Sequence, residues 1–205
     1  MAIKWVVLDM MGVVFEEGDT LSSVLFPYLN GLKGDISREN INALYALGRV
    51  GRLTSKQIFE TLGFKENPEK IEEGFLKLLK LDPQFYSVAE NIRKKYKLAA
   101  LSNDVSGWSE RLRALHGLNS LFDVIVISGD YGTHKPEEKI FNVFLEKALA
   151  QPFECVFVDD KVRNLVPAEK LGFKTIKFVR ETVEDELWNT EIRSFKELIP
   201  AIERF

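Results

Sequence analysis

The sequence predicts an α/β protein, a doubly wound parallel sheet of Rossmann-like form with a bundle of helices inserted as a cap. Three observations carry this. Short apolar runs recur and each stops at a polar residue, helix-period stretches separate them from residue 90 onward, and residues 16–90 show helical patterns alone. Strands buried on both faces read as continuous apolar runs, and strands alternating with helices imply parallel pairing through crossovers.

The first strand is Trp5 to Leu8, closed by Asp9 and a turn at Gly12. Leu98 to Leu101 before Ser102, Val124 to Ile127 before Ser128, and Cys155 to Val158 before Asp159 have the same form. A fifth, Lys174 to Phe178, follows Gly172, which stands where a helix-ending glycine belongs. Between them, Ser106 to His116, Pro136 to Ala150 and Arg163 to Leu171 carry helical spacing. Inside the insertion the same spacing marks Thr20 to Leu29, Ser37 to Leu47, Thr54 to Leu62 and Pro68 to Leu79. Ser37 and Thr54 read as N-caps, and Gln57 three residues after Thr54 completes a capping box. The expected division is a core of residues 1–15 and 91–205 around a helical cap of residues 16–90. Phe195 to Phe205 reads as a short amphipathic helix that Pro200 interrupts or turns.

Bulk properties narrow the function. A chain of 205 residues builds a sizeable core without staples. Its net charge of -3 offers no basic field for a nucleic-acid backbone, so that class is set aside. No apolar run approaches the ~20 residues of a membrane span. Cys155 is the only cysteine and no secretory leader is evident, which points to the reducing cytoplasm. Small-molecule chemistry is the remaining expectation, with oligomeric state open.

In a doubly wound sheet the ligand lies beyond the carboxyl ends of the strands. An aspartate closing a strand before a glycine is by default a turn former. Here the other strand ends add Ser102 with Asn103, Lys135 before Pro136, and Asp159 with Asp160. A carboxylate nucleophile divides one difficult displacement into two through a covalent intermediate. A phosphate approaching several acids needs a cation between them, and hard oxygen ligands suit Mg²⁺. Lys135 supplies a fixed positive charge, and Ser102 a donor for phosphate oxygens.

The segments "WVVLDMMGVVF", "LAALSND", "HKPEEKIF" and "CVFVDDKVRN" resemble, in order and spacing, the four motifs of the haloacid dehalogenase-like hydrolases. The similarity spans nearly the whole chain, and the helical insertion stands where that family carries a small cap. The resemblance implies a nucleophile at Asp9, binding of the transferred group by Ser102 and Asn103, and its steadying by Lys135. It also implies magnesium held by Asp9, Asp159, Asp160 and the backbone carbonyl of Met11. Gly12 supports the turn, and Asn164 matches a position expected to orient the acidic loop.

Met11 departs from the family pattern. Most phosphatases of this family carry an aspartate there that protonates the leaving group and then activates water. A thioether does neither, and loss of a positioned acid/base forfeits ~10²–10⁴-fold in rate. Three readings follow: a Mg²⁺-dependent phosphatase of a small phosphate ester with a reduced or substituted acid/base, a metal-free 2-haloacid dehalogenase, or a catalytically silent ligand-binding protein. The acidic pair favours the first over the second, since a metal-free site gains nothing from extra negative charge beside its nucleophile.

Other polar residues are assigned blander roles. Arg49 and Arg52 are expected to be solvated on the cap. His134 has the ordinary pKa of a proton carrier but reads as a loop residue. His116 reads as a helix end, Cys155 as core filler, and Trp5, Trp108 and Trp188 as packing residues.

Overall fold

A computed structural model describes residues 2–180 and 187–205. Six parallel strands form one sheet in the order β3-β2-β1-β4-β5-β6: β1 Trp5–Leu8, β2 Lys97–Ser102, β3 Val124–Ile127, β4 Cys155–Asp159, β5 Lys174–Phe178 and β6 Glu191–Ile192. The winding runs outward from β1 in one direction and then, from β4, in the other. The crevice where it reverses lies beyond the ends of β1, β2 and β4.

The apolar runs of the sequence are continuous because the sheet is covered twice. Val6 and Leu8 of β1 point into one core with Val156 and Val158 of β4, while Trp5 and Val7 point into the other with Cys155 and Phe157. The second face is closed by α8 (Glu138–Ala148) and α9 (Val162–Leu171), whose Phe141 and Phe144 pack edge-on or tilted against Phe157 and Phe173. The first is closed by α5 (Phe85–Ile92), α6 (Ser106–Leu115) and the terminal α10 (Leu198–Ile202). Pro200 is tolerated in α10 because it lies in the first turn, where a backbone N–H has no helical partner.

The insertion contains α1 (Phe26–Lys33), entered through a π-helical turn at Leu21–Leu25, then α2 (Arg38–Gly48), α3 (Ser55–Thr61) and α4 (Pro68–Leu76). Ser37 caps α2 by accepting from Asn40 N at 3.1 Å. Thr54 and Gln57 form the reciprocal capping box of α3. The chain leaves and re-enters the core side by side, with Glu16 N donating to Lys80 O and Asp82 N to Val14 O. The insertion rests on the core through Trp108 of α6. Tyr45 stacks on its indole at 5.9 Å, Phe59 and Phe75 contact it, and its Nε1 donates to Ser55 Oγ at 2.7 Å. Ser55 in turn donates to the buried Glu72, which also pairs with Arg111 at 2.9 Å.

Elements not anticipated include α5, the single-turn α7 (Ser128–Tyr131) and β6. Helix α5 places Phe85, Val88, Ala89 and Ile92 at helical spacing, and these bury against the sheet core rather than in the cap bundle. The edge strand β6 is too short for any periodicity to show. No helix among the described residues is long and apolar enough to cross a membrane.

Candidate active site

Register places the first two acids. Leu8 pairs with Val158, and Asp9 N donates to Val158 O at 2.9 Å, so Asp9 and Asp159 leave neighbouring strands side by side. Asp160 follows at the head of the turn. Oxygens of Asp9, Asp159 and Asp160 lie within 4.8 Å of one another, close enough for one ion.

Lys135 enters from the opposite side and is almost fully buried. Its Nζ lies 2.9 Å from Asp9 Oδ1 and 2.7 Å from Asp159 Oδ2, above the Phe157 ring. Burial pulls its ammonium down, but the carboxylates of Asp159 and Asp9 outweigh this and hold its pKa above the ordinary value. The lysine is located by its own peptide. Asn103 donates from Nδ2 to Lys135 O and accepts Lys135 N at Oδ1, both at 2.7 Å. The Asn103 amide, expected to meet the transferred group, is thus engaged in holding Lys135. Ser102 is buried at the end of β2, and its hydroxyl has no partner among the described residues.

The acids differ in how well they are satisfied. Asp159 accepts from Lys135 Nζ, from Lys161 N at 2.8 Å, and from Asn164 Nδ2 at 3.0 and 3.1 Å. Asp160 has a buried oxygen with no partner among the described residues. Burial, with Asp159 and Asp9 nearby, pushes Asp160 up to about 8. Burial likewise raises Asp9 to about 6, against Lys135 and with Asp159. An unsatisfied, charge-repelled carboxyl cluster is the state a divalent cation would relieve.

Two glycines make room for the Asp160 carboxylate. A Cβ on Gly12 would come within 2.5 Å of an Asp160 carboxylate oxygen, and one on Gly18 within 2.7 Å. Gly12 also has φ +79°, which favours glycine. Arg180 holds this loop in place, donating to the carbonyls of Gly12 and Val13 while pairing with Asp82 at 2.6 Å. Nothing in the sequence pattern singled out Arg180 or Asp82.

A cavity of about 300 Å³ opens over Asp9 and Lys135 toward the insertion, and Ser102, Asp159 and Asp160 do not line it. Asp9, Met11, Asn103, Lys135 and Asn164 line its base, and Leu21, Tyr45, Arg49, Phe75 and Leu79 its cap side. Arg49 therefore faces the cavity rather than being merely solvated. Arg52 is exposed outside it. His134 is turned away, with Nε2 3.2 Å from Glu137 and Nδ1 against Lys135 O. A carboxyl that the sequence reading passed over, Asp104, also lines the cavity and is pushed by burial to about 7. Its signal was its place directly after Ser102 and Asn103.

A family model of haloacid dehalogenase-like hydrolases matches residues 3–172. Mouse Acyl-CoA dehydrogenase family member 10 is 45% identical over 67 residues, 32% of this chain, and mouse Bifunctional epoxide hydrolase 2 is 42% identical over 59 residues, 29% of this chain. The chain spans only 6% and 11% of the lengths of those two relatives. The D-ribitol-5-phosphate phosphatase of Bacteroides thetaiotaomicron is 24% identical over 188 residues, 85% of this chain and 91% of that protein. Among solved structures, an aspartate-to-alanine variant of a HAD family enzyme from the same bacterium, in complex with magnesium and inorganic phosphate, superposes with TM-score 0.74. It is 19% identical and covers 90% of this chain and 98% of its own. At that identity the likeness shows the shared fold.

Proposed function

This chain belongs to the haloacid dehalogenase-like hydrolase family, and we propose that it is a magnesium-dependent phosphatase of small phosphorylated metabolites. The observation that supports this most is the cluster of Asp9, Asp159 and Asp160 oxygens within 4.8 Å, with the Lys135 ammonium 2.9 Å from Asp9. Magnesium fits the site on three counts: all donors are hard oxygens, one Asp160 oxygen is buried without a partner among the described residues, and Gly12 and Gly18 leave space for the Asp160 carboxylate. Asp9, Asp160 and the Met11 carbonyl would hold it, with Asp159, the fourth ligand expected from the sequence, beside them and already accepting from Lys135, Lys161 and Asn164. When bound, it would screen the acids from the substrate phosphate and stabilise charge on the transferring group.

In this reading Asp9 attacks phosphorus, an oxygen–phosphorus bond to Asp9 forms, and the bond from phosphorus to the leaving alkoxide breaks. Lys135 and the Met10 N–H, both on Asp9 Oδ1, fix the carboxylate so that Oδ2 is left to react. The alkoxide takes its proton from a water molecule, since Met11 offers none, and the hydroxide so formed attacks the phosphorus of the aspartyl-phosphate, releasing inorganic phosphate with regenerated Asp9. Ser102 and backbone amides at the strand ends bind the phosphoryl oxygens. Asn103 and Asn164 are positioning residues, acting through Lys135 and Asp159. We place the acting protein in the cytoplasm, in keeping with its single buried Cys155 thiol, which burial pushes up to about 12. The cap of residues 16–90 belongs to the same reading, with its second boundary drawn back to about residue 81, because the chain crosses near residues 16 and 81 and α5 beyond that point packs on the sheet.

Met11, on the cavity wall, favours a silent ligand-binding protein as the second reading. Metal-dependent turnover of small phosphate esters, run beside Asp9→Asn and Met11→Asp, separates the two. A phosphatase loses its Mg²⁺-dependent activity in Asp9→Asn and gains about 10²-fold or more in Met11→Asp. Wild-type turnover that survives Asp9→Asn would remove the aspartyl mechanism, and activity found only in Met11→Asp would establish the silent protein.

A further inference from the structure

The charges of the cavity do not balance around one phosphate. Lys135 is fully engaged by Asp9 and Asp159, and Lys161 Nζ donates to Gly18 O at 3.1 Å beside the acidic cluster. Two further cations line the same cavity, Arg49 at the end of α2 and Arg163 in the first turn of α9. Neither has a carboxylate within ion-pair distance among the described residues. Arg49 is the more telling, because its Nε is buried and has no hydrogen-bond partner among the described residues.

A buried guanidinium N–H without an acceptor is costly, and native proteins rarely leave one without a reason. The neighbouring acids do not supply that acceptor. Asp104 turns one oxygen to Val105 N at 2.8 Å, and Asp19 caps the π-helical turn through Ser22 N. Lys135 and the acid cluster stand on the floor, at the strand ends, whereas Arg49 comes from the cap. A ligand whose phosphate meets the floor would extend its leaving group toward Arg49. A planar guanidinium is suited to a carboxylate or phosphate, which it grips with two parallel N–H bonds.

Resting on the phosphatase reading, we propose that the substrate carries a second anionic group, a carboxylate or a second phosphate, on its leaving alcohol, and that Arg49 with Arg163 receives it. The cavity of about 300 Å³ keeps such a substrate small. Neutral polyol phosphates would satisfy the floor and leave the two arginines unanswered.

The test compares three arms with the full chain in Mg²⁺. Phosphoglycolate and 3-phosphoglycerate supply a terminal carboxylate, fructose 1,6-bisphosphate a second phosphate, and glycerol 3-phosphate and ribitol 5-phosphate no second charge. The expected result is a kcat/KM at least about tenfold higher for one anionic arm than for the neutral arm. That ratio falls about tenfold in Arg49→Gln and is partly kept in Arg49→Lys. Which arm leads identifies the second anion. Equal kcat/KM across the arms, or an Arg49→Gln loss shared equally by all substrates, would overturn the proposal.

A binding measurement separates this proposal from the reading beneath it. With Mg²⁺ present, 3-phosphonopropionate and propane-1,3-bisphosphonate are compared with propylphosphonate by calorimetry. At least one doubly anionic ligand binds about tenfold more tightly, and Arg49→Gln removes the difference. If the preference holds while no ester is turned over, the phosphatase reading falls and the second anion site stands. If the affinities are equal, the second site falls whatever the turnover shows.

Discussion

Replacing Asp160 by Asn in the metal-free protein should make its stability less dependent on pH. Asp160 rises from 3.8 to about 8 on folding, because burial and the adjacent Asp159 and Asp9 disfavour its charge. The folded protein therefore keeps a proton that the unfolded chain has already lost. Stability falls as pH rises through that window and levels off above it. Each unit is worth ~1.4 kcal/mol, so the three units from pH 5 to pH 8 represent ~4 kcal/mol. Asp160 is only partly enclosed, and screening reduces this by roughly half, to ~2 kcal/mol. Urea unfolding in chelator at pH 5, 6, 7 and 8 reads the effect directly. Asp160→Asn cannot ionise, so its stability should decline about 2 kcal/mol less than wild type over that range. Saturating Mg²⁺ at pH 8 should recover most of the wild-type loss and do little for the variant. Parallel pH curves for the two proteins would refute the account of Asp160 as a strained, protonated acid.

Two further substitutions probe the support of the site. Lys135→Met leaves Asp9 and Asp159 buried without their shared cation and should cost ~3–5 kcal/mol in urea unfolding at pH 8, with a smaller loss at pH 5, where Asp9 is protonated; an equal loss at both pH values would count against the ion pairs. Gly12→Ala places a Cβ 2.5 Å from the Asp160 carboxylate at a positive φ. It should lower the melting temperature and weaken Mg²⁺-induced stabilisation about tenfold in apparent affinity, and an unchanged Mg²⁺ titration would show that Asp160 takes no part in the metal site.

Much of this molecule was written in local sequence. Four of the five longer strands announced themselves as apolar runs, and their polar stops marked the ends that converge at the crevice, while β5, KTIKF, was marked by the helix-ending Gly172 before it. Asp9, Asp159, Asp160 and Lys135 were legible for that reason: parallel strands bring their carboxyl ends to one rim, so residues far apart in the chain share a place in it. The capped helix starts at Ser37 and Thr54 were equally local, since the cap and its acceptor lie within three residues.

The remaining features depend on where side chains turn once the sheet is assembled. Helix α5 had its apolar spacing at Phe85, Val88, Ala89 and Ile92, but only packing assigned it to the sheet rather than to the cap. Asn103 had the polarity to bind a ligand, yet folding set its amide against the peptide of Lys135, 32 residues away. The Arg180 bridge from Asp82 to the Gly12 loop joins segments 98 and 168 residues apart, and no periodicity carries such a pairing. Arg49 looked like any surface arginine until the inserted helices, seated on Trp108, turned it over the cavity. Sequence determined the elements and the chemistry at their ends, because both follow from short-range burial and polarity. Tertiary structure alone decided which polar groups satisfy one another and which are left for a ligand, because hydrogen bonding depends on direction and distance that only the assembled fold supplies.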